Sequence, residues 1–159
     1  MTPKQPAAGN IEKARAMGIR KQEFYEGAAI HRLARCGSIT SLLYEPPFFT
    51  VSGRLVLLLK YSTRTRSPWG FTFMPDEQRL LESRASRAAV VIGLICGADG
   101  VAALPYTEYA QIAPLSKTAI HVSCYRSHRE HYEVNGPAGC VSRKIAPGDW
   151  QRILSLTEL

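Results

Sequence analysis

The sequence predicts an α+β fold: a mixed β-sheet flanked by helices, ending in a C-terminal β-hairpin. Two apolar runs, Leu55-Val56-Leu57-Leu58-Leu59 and Ala89-Val90-Val91-Ile92-Gly93-Leu94-Ile95, have strand length and carry no polar alternation, as strands covered on both faces do. Helical stretches lie between and before them, and alternating, turn-bounded segments follow them. The resulting order is helix, three or four strands, helix, strands, short helix, strands, with no internal repeat.

Residues 1 to 19 read as a weakly basic, flexible tail. Pro3, Pro6, Gly9 and Gly18 punctuate it, and Lys4, Lys13 and Arg15 outnumber Glu12. Residues 20 to 159 then form a single α+β domain. The first helix is expected over Lys21 to Arg35, because Glu26, Ile30 and Leu33 fall at i, i+4 and i+7 around Ala29. Gly37 should end it in the left-handed conformation that helix ends favour. Ile39 to Tyr44 and Phe48 to Val51 read as short strands separated by Pro46-Pro47, and Gly53 turns the chain into the apolar strand ending at Tyr61. A basic loop, Thr63-Arg64-Thr65-Arg66-Ser67-Pro68, leads to the aromatic strand Trp69 to Phe73.

Pro75-Asp76-Glu77 opens a second helix reaching about Arg87, with acids in its first turn and Arg84 and Arg87 in its last, as the helix dipole prefers. After the buried strand, Gly97-Ala98-Asp99-Gly100 turns into Val101 to Leu104, and Pro105 to Ala113 reads as a short helix. Thr118 to Tyr125 places Ile120, Val122 and Cys124 on one face. The final hairpin pairs Tyr132 to Val134 with Cys140 to Ile145 around Asn135-Gly136-Pro137, and Asp149 caps a last turn through Trp150 and Ile153.

Of the 159 residues, 45% are apolar and 21% charged, enough for one domain to fold without disulfide or structural metal. The longest apolar run, Ala88 to Cys96, is about half of what a bilayer span requires, and the N-terminal residues lack a signal peptide's apolar stretch. A cytoplasmic protein without membrane contact is expected. Four cysteines, Cys36, Cys96, Cys124 and Cys140, are widely spaced and suit reduced thiols. The formal net charge of +7 suits a polyanionic partner such as DNA or RNA.

Chemistry concentrates around a few positions. The first helix carries Glu26 on its apolar stripe, Pro47-Phe48-Phe49 opens one strand, and Leu58-Leu59-Lys60 lies on the next, followed by Tyr61-Ser62. Trp69-Gly70-Phe71, the buried Val90 to Ile95 strand and Leu104-Pro105 before a short helix complete the order. In both wording and order this resembles the restriction-endonuclease-like superfamily, the PD-(D/E)xK nucleases, from about Glu23 to Val134. The resemblance implies a restriction-endonuclease-like core. In that family a Pro-x-Asp strand and a (D/E)xK strand supply two carboxylates for Mg²⁺, which polarises the phosphate and activates water. At the two matching acid positions this chain has Phe49 and Leu58, neither able to ligate a hard cation, while Lys60 matches the family lysine. Pro75-Asp76 lies after the lysine strand and is read as a helix cap.

Three functions follow from these residues. The preferred one is a catalytically degenerate, nuclease-like domain that binds DNA, RNA or a nucleic-acid-processing complex without a cofactor. Its contact residues are Lys60, Arg64, Arg66 and Trp69, with Arg126, Arg129, Arg143 and Lys144 extending the patch. The second is an active Mg²⁺-dependent nuclease in which Glu26 and a relocated Glu45 flank Lys60. The third is a protein-interaction module whose contact surface includes Phe48, Phe49 and Trp69. His121, Cys124, His128, His131 and Cys140 have zinc-ligand chemistry at a spacing that matches no common zinc module, so no metal site is assigned to them.

Overall fold

The structure is a computed structural model that describes residues 18–156. Most of the expected N-terminal tail, residues 1–17, lies outside the described residues. The first helix, α1 (Lys21–Cys36), buries Glu26, Ala29 and Leu33 along one stripe. Gly37 follows with φ −138°, so the expected left-handed cap is not formed. Its N–H instead donates to the Leu33 carbonyl at 3.0 Å, and a Cβ there would sit 3.0 Å from Leu154 Cδ1. Close helix packing, rather than a positive φ, accounts for the glycine.

β1 (Leu42–Glu45), β2 (Phe48–Val51) and β3 (Leu55–Ser62) form an antiparallel meander. The chain then passes through β4 (Trp69–Phe73) and α2 (Pro75–Ala85) before β5 (Ala89–Cys96) returns parallel to β3, pairing Leu55 with Ala89 through Ser62 with Cys96. β6 (Gly100–Pro105) folds back antiparallel on β5, giving a mixed five-stranded sheet of order β1-β2-β3-β5-β6. β3 and β5 are central and covered on both faces, which is why their sequences lack polar alternation.

The single sheet expected from sequence is in fact two. β4 does not join β3; it pairs with β7 (Ile120–Tyr125), and β8 (Glu133–Gly136) and β9 (Gly139–Cys140) complete a separate antiparallel sheet of order β4-β7-β8-β9. The second sheet has one wet face: along β4, Trp69, Phe71 and Phe73 are buried while Gly70 and Thr72 are exposed. The C-terminal hairpin exists as β8–β9 and is extended by an isolated bridge between Tyr132 and Ile145.

Alternation along β3 and β5 divides the interior into two cores. Val56, Leu58, Ile92, Leu94 and Cys96 face the second sheet, α2 and α3 (Tyr106–Ile112), where Phe71, Phe73, Leu81, Tyr109 and Val122 meet them. Leu55, Leu57, Leu59, Val91 and Ile95 face α1 and α4 (Asp149–Leu156). Trp150 fills the second core, fully buried, and its Nε1 donates to the Ala29 carbonyl at 2.9 Å. Gly93 makes room for it, since a Cβ there would lie 2.9 Å from the indole.

Candidate functional site

β3 is longer than its neighbour. β2 pairs with it only from Leu55 to Leu58, so among the described residues the β3 edge from Leu59 to Ser62 has no strand beside it on the β2 side. A cleft of about 220 Å³ occupies that fork, lined by Gln22 and Glu26 of α1, Pro47, Leu58 to Tyr61, and Glu77 of α2. Lys60 projects to the α2 side, where Nζ donates to Glu77 Oε1 at 2.7 Å and lies 5.0 Å from the Phe73 ring centroid. Both partners keep only about a fifth of their side-chain surface in solvent. Tyr61 projects to the other side and stacks on Tyr25, with centroids 5.0 Å apart and rings 8° from parallel.

Glu26 enters from α1. Only 9% of its surface is exposed, and burial pushes its carboxyl pKa up, opposed by a hydrogen bond from Gln22 and reinforced by the nearby Glu23. A carboxyl whose folded-state pKa is raised contributes most to stability below its unfolded pKa, and that contribution is lost as pH rises through the folded value. Glu26→Gln should therefore raise the melting temperature at neutral pH and have little effect below the carboxyl's unfolded pKa, where both states bind the proton. Melting curves at both pH values check this; a loss of stability at neutral pH would show that the charged carboxylate is needed for the fold.

The predicted site residues separate on inspection of their faces. Directly paired residues share a face, so Glu45, Phe48 and Leu58 lie in one row on the α2 side. The buried neighbour of Leu58 is thus Phe48, while Phe49 points the other way, toward α1, against Tyr44. Glu45 is not brought to Lys60. It stands at the exposed end of that row, two strands from β3, in a different cleft of about 330 Å³ shared with Thr50, Arg54, Arg84 and Arg87. The acids beside Lys60 are Glu26 and Glu77. Glu77 escaped the sequence reading because a first-turn acid after proline is fully explained by helix capping; only the packing of α2 over β3 gives it a second role.

Trp69 also changes role. It is 2% exposed, with Nε1 donating to the Arg64 carbonyl at 2.9 Å, so it anchors the basic loop from inside and offers no face to a base. Gly97, at φ +55°, lies under the same carbonyl, where any Cβ would collide with the Arg64 oxygen. Arg64 and Arg66 themselves are exposed at the loop. The patch expected beyond it is largely self-neutralised: Arg126 pairs with Asp99 at 2.9 Å, Arg143 with Glu108 at 2.8 Å, and Lys144 with Glu133 at 3.3 Å. Arg84 and Arg87 were missed as ligand candidates. Arg84 stacks 4.8 Å over the Phe48 ring and, with Arg87, faces the cleft of Glu45.

No family model, curated protein or solved structure matches the chain. Among the described residues no three of His, Cys, Asp and Glu converge to hold a metal ion, and Cys124 is a fully buried core residue. No helix among the described residues is long and apolar enough to cross a membrane. What the β3 fork offers chemically is one lysine held by one carboxylate, with a second, partly desolvated carboxyl in the same cleft. Two carboxylates suit Mg²⁺ only if waters and a substrate phosphate complete its six oxygens.

Proposed function

We propose that the chain is a restriction-endonuclease-like domain that binds nucleic acid without cutting it. The element order supports this: a helix with an inward Glu26, a three-stranded meander, a crossover helix and a strand parallel to β3, with Lys60 at the open end of β3. The observation that carries the reading is the Phe48–Leu58 pair. These cross-strand neighbours on the Lys60 side of the sheet are both buried and apolar; Leu58 stands at the position matched to the family's second acid, and Phe49, matched to the first, faces α1, so neither supplies an oxygen for a metal beside Lys60. Half-buried Arg84 and exposed Arg87 stand on that same side, and exposed Arg64 and Arg66 extend from the end of β3, so guanidinium groups lie at both ends of the strand. Phosphate oxygens are their natural partners.

Affinity for labelled double-stranded DNA should fall steeply with salt, because each neutralised phosphate releases counterions. Arg84→Ala with Arg87→Ala should flatten the slope of log K against log salt by about 0.9 per lost contact, as titrations at several salt concentrations would read. Salt-independent binding, or none, points instead to a protein-interaction module.

One observation favours a second reading. Glu77 lies 2.7 Å from Lys60, and Glu26 lines the same cleft, so a Mg²⁺-dependent nuclease would use Glu26 and Glu77 with Lys60. In that case the metal would supply phosphate polarisation, the two carboxylates would hold it, and Lys60 would stabilise charge on the phosphate.

A further inference from the structure

Two thiols meet where the two sheets face each other. Val90, Ile92, Leu94 and Cys96 form the stripe of β5 that looks toward the second sheet, and Ile120, Val122 and Cys124 form the stripe of β7 that looks back. Both cysteines are fully buried and free, whereas Cys36 and Cys140 are exposed.

The surrounding contacts place the two residues together. Gly100, the cross-strand partner of Cys96, packs so close to Tyr132 that a Cβ there would sit 2.6 Å from the Tyr132 hydroxyl. Gly97, which follows Cys96, would hold a Cβ 3.5 Å from Trp69 Nε1, and Trp69 is the cross-strand partner of Cys124. The Trp69 and Tyr132 rings in turn meet edge to face with centroids 6.3 Å apart. Cys96 and Cys124 thus share one nest of side chains at the end of β5, and their thiols are hydrogen-bonded to each other. We infer that Cys96 and Cys124 are a redox pair, whose oxidation closes a disulfide that staples the main sheet to the second one. A bridge between two facing sheets is a geometry that disulfides accept, as in β-sandwich domains.

The oxidant is a small-molecule disulfide such as oxidised glutathione. One cysteine thiolate attacks its S–S bond, giving a mixed disulfide and one reduced glutathione; the other cysteine then attacks the protein-side sulfur and releases the second. Two electrons pass from the protein thiols to glutathione, and the two thiol protons leave on the two products. The fold gates this exchange. The Cys96 thiol is held well above the usual thiol range by its hydrogen bond with Cys124 and by burial, so thiolate is scarce while the sheets are packed. The bond therefore closes when the sheets part or while the chain folds, and the same packing then shields it from reducing thiols. The pair sits beneath the basic loop, since Trp69 and Gly97 both hold the Arg64 carbonyl, so the closed staple fixes the base of that loop. This inference does not depend on the nucleic-acid reading.

The test uses the full chain with the exposed Cys36 and Cys140 changed to Ser, so that Cys96 and Cys124 are the only thiols. It is refolded from denaturant in oxidised glutathione, alkylated under denaturing conditions and weighed. As a second route, the folded chain is held in oxidised glutathione with urea below its unfolding midpoint. By either route the expected product is a monomer lighter by the two thiol hydrogens, carrying no alkyl group and no glutathione. It should melt about 10 °C above the reduced chain, a gain that dithiothreitol removes. Two alkylated thiols after both treatments, glutathione retained on either cysteine without closure, or a closed bond that fails to raise the melting temperature overturns the proposal.

Discussion

Trp150→Ala should cost about 3–5 kcal/mol of folding stability. The indole is fully buried between α1, α4 and the main sheet, packs where Gly93 leaves space, and spends its N–H on the Ala29 carbonyl. Truncation removes the packing, opens a cavity and leaves a buried carbonyl without its donor. For a chain of this length that is a fall of roughly 10 °C in melting temperature, read by circular dichroism. A loss below about 1 kcal/mol would mean that α4 docks without contributing to the core.

Lys60→Met should cost about 2–3 kcal/mol, because Glu77, with only about a fifth of its side chain in solvent, would be left with no counter-charge. Adding Glu77→Gln should recover most of that loss, since the penalty lies in the unpaired charge more than in the absent bond. Denaturant unfolding of the two single variants and the double variant measures the coupling. Additive single effects would show that the pair is a solvated contact of little consequence.

The strands were legible where burial dictates composition. Phe48 to Val51 and Trp69 to Phe73 match their observed limits, and β3 and β5 run only slightly further than the apolar runs that signal them. The partners of those strands were not legible. Nothing local distinguishes β4 pairing with β3 from β4 pairing with β7, because Trp69, Phe71 and Phe73 need a cover and either sheet supplies one. Lys60 and Glu26 were found because a charged residue within an apolar stripe or strand stands out against its surroundings. Glu77 and Glu45 were confused because both acids lie on the α2 side of the sheet, and the choice turns on which element carries each toward Lys60. The two acids are almost equally far from Lys60 in sequence, yet Glu45 stands two strands away across the sheet, whereas Glu77 is brought over β3 by β4 and the turn into α2. Trp69 resembled a stacking platform because an aromatic beside arginines has the same composition whether the ring faces solvent or the core.

The most direct test of the account is to incubate labelled DNA and RNA with the wild-type chain and with Glu77→Gln in Mg²⁺, reading substrate length and affinity together. Binding without cleavage predicts full-length substrate with both proteins and an affinity several-fold higher for Glu77→Gln, since the variant releases Lys60 to meet a phosphate. Cleavage by the wild-type chain that disappears with Glu77→Gln would contradict it and make Glu26, Glu77 and Lys60 a nuclease site.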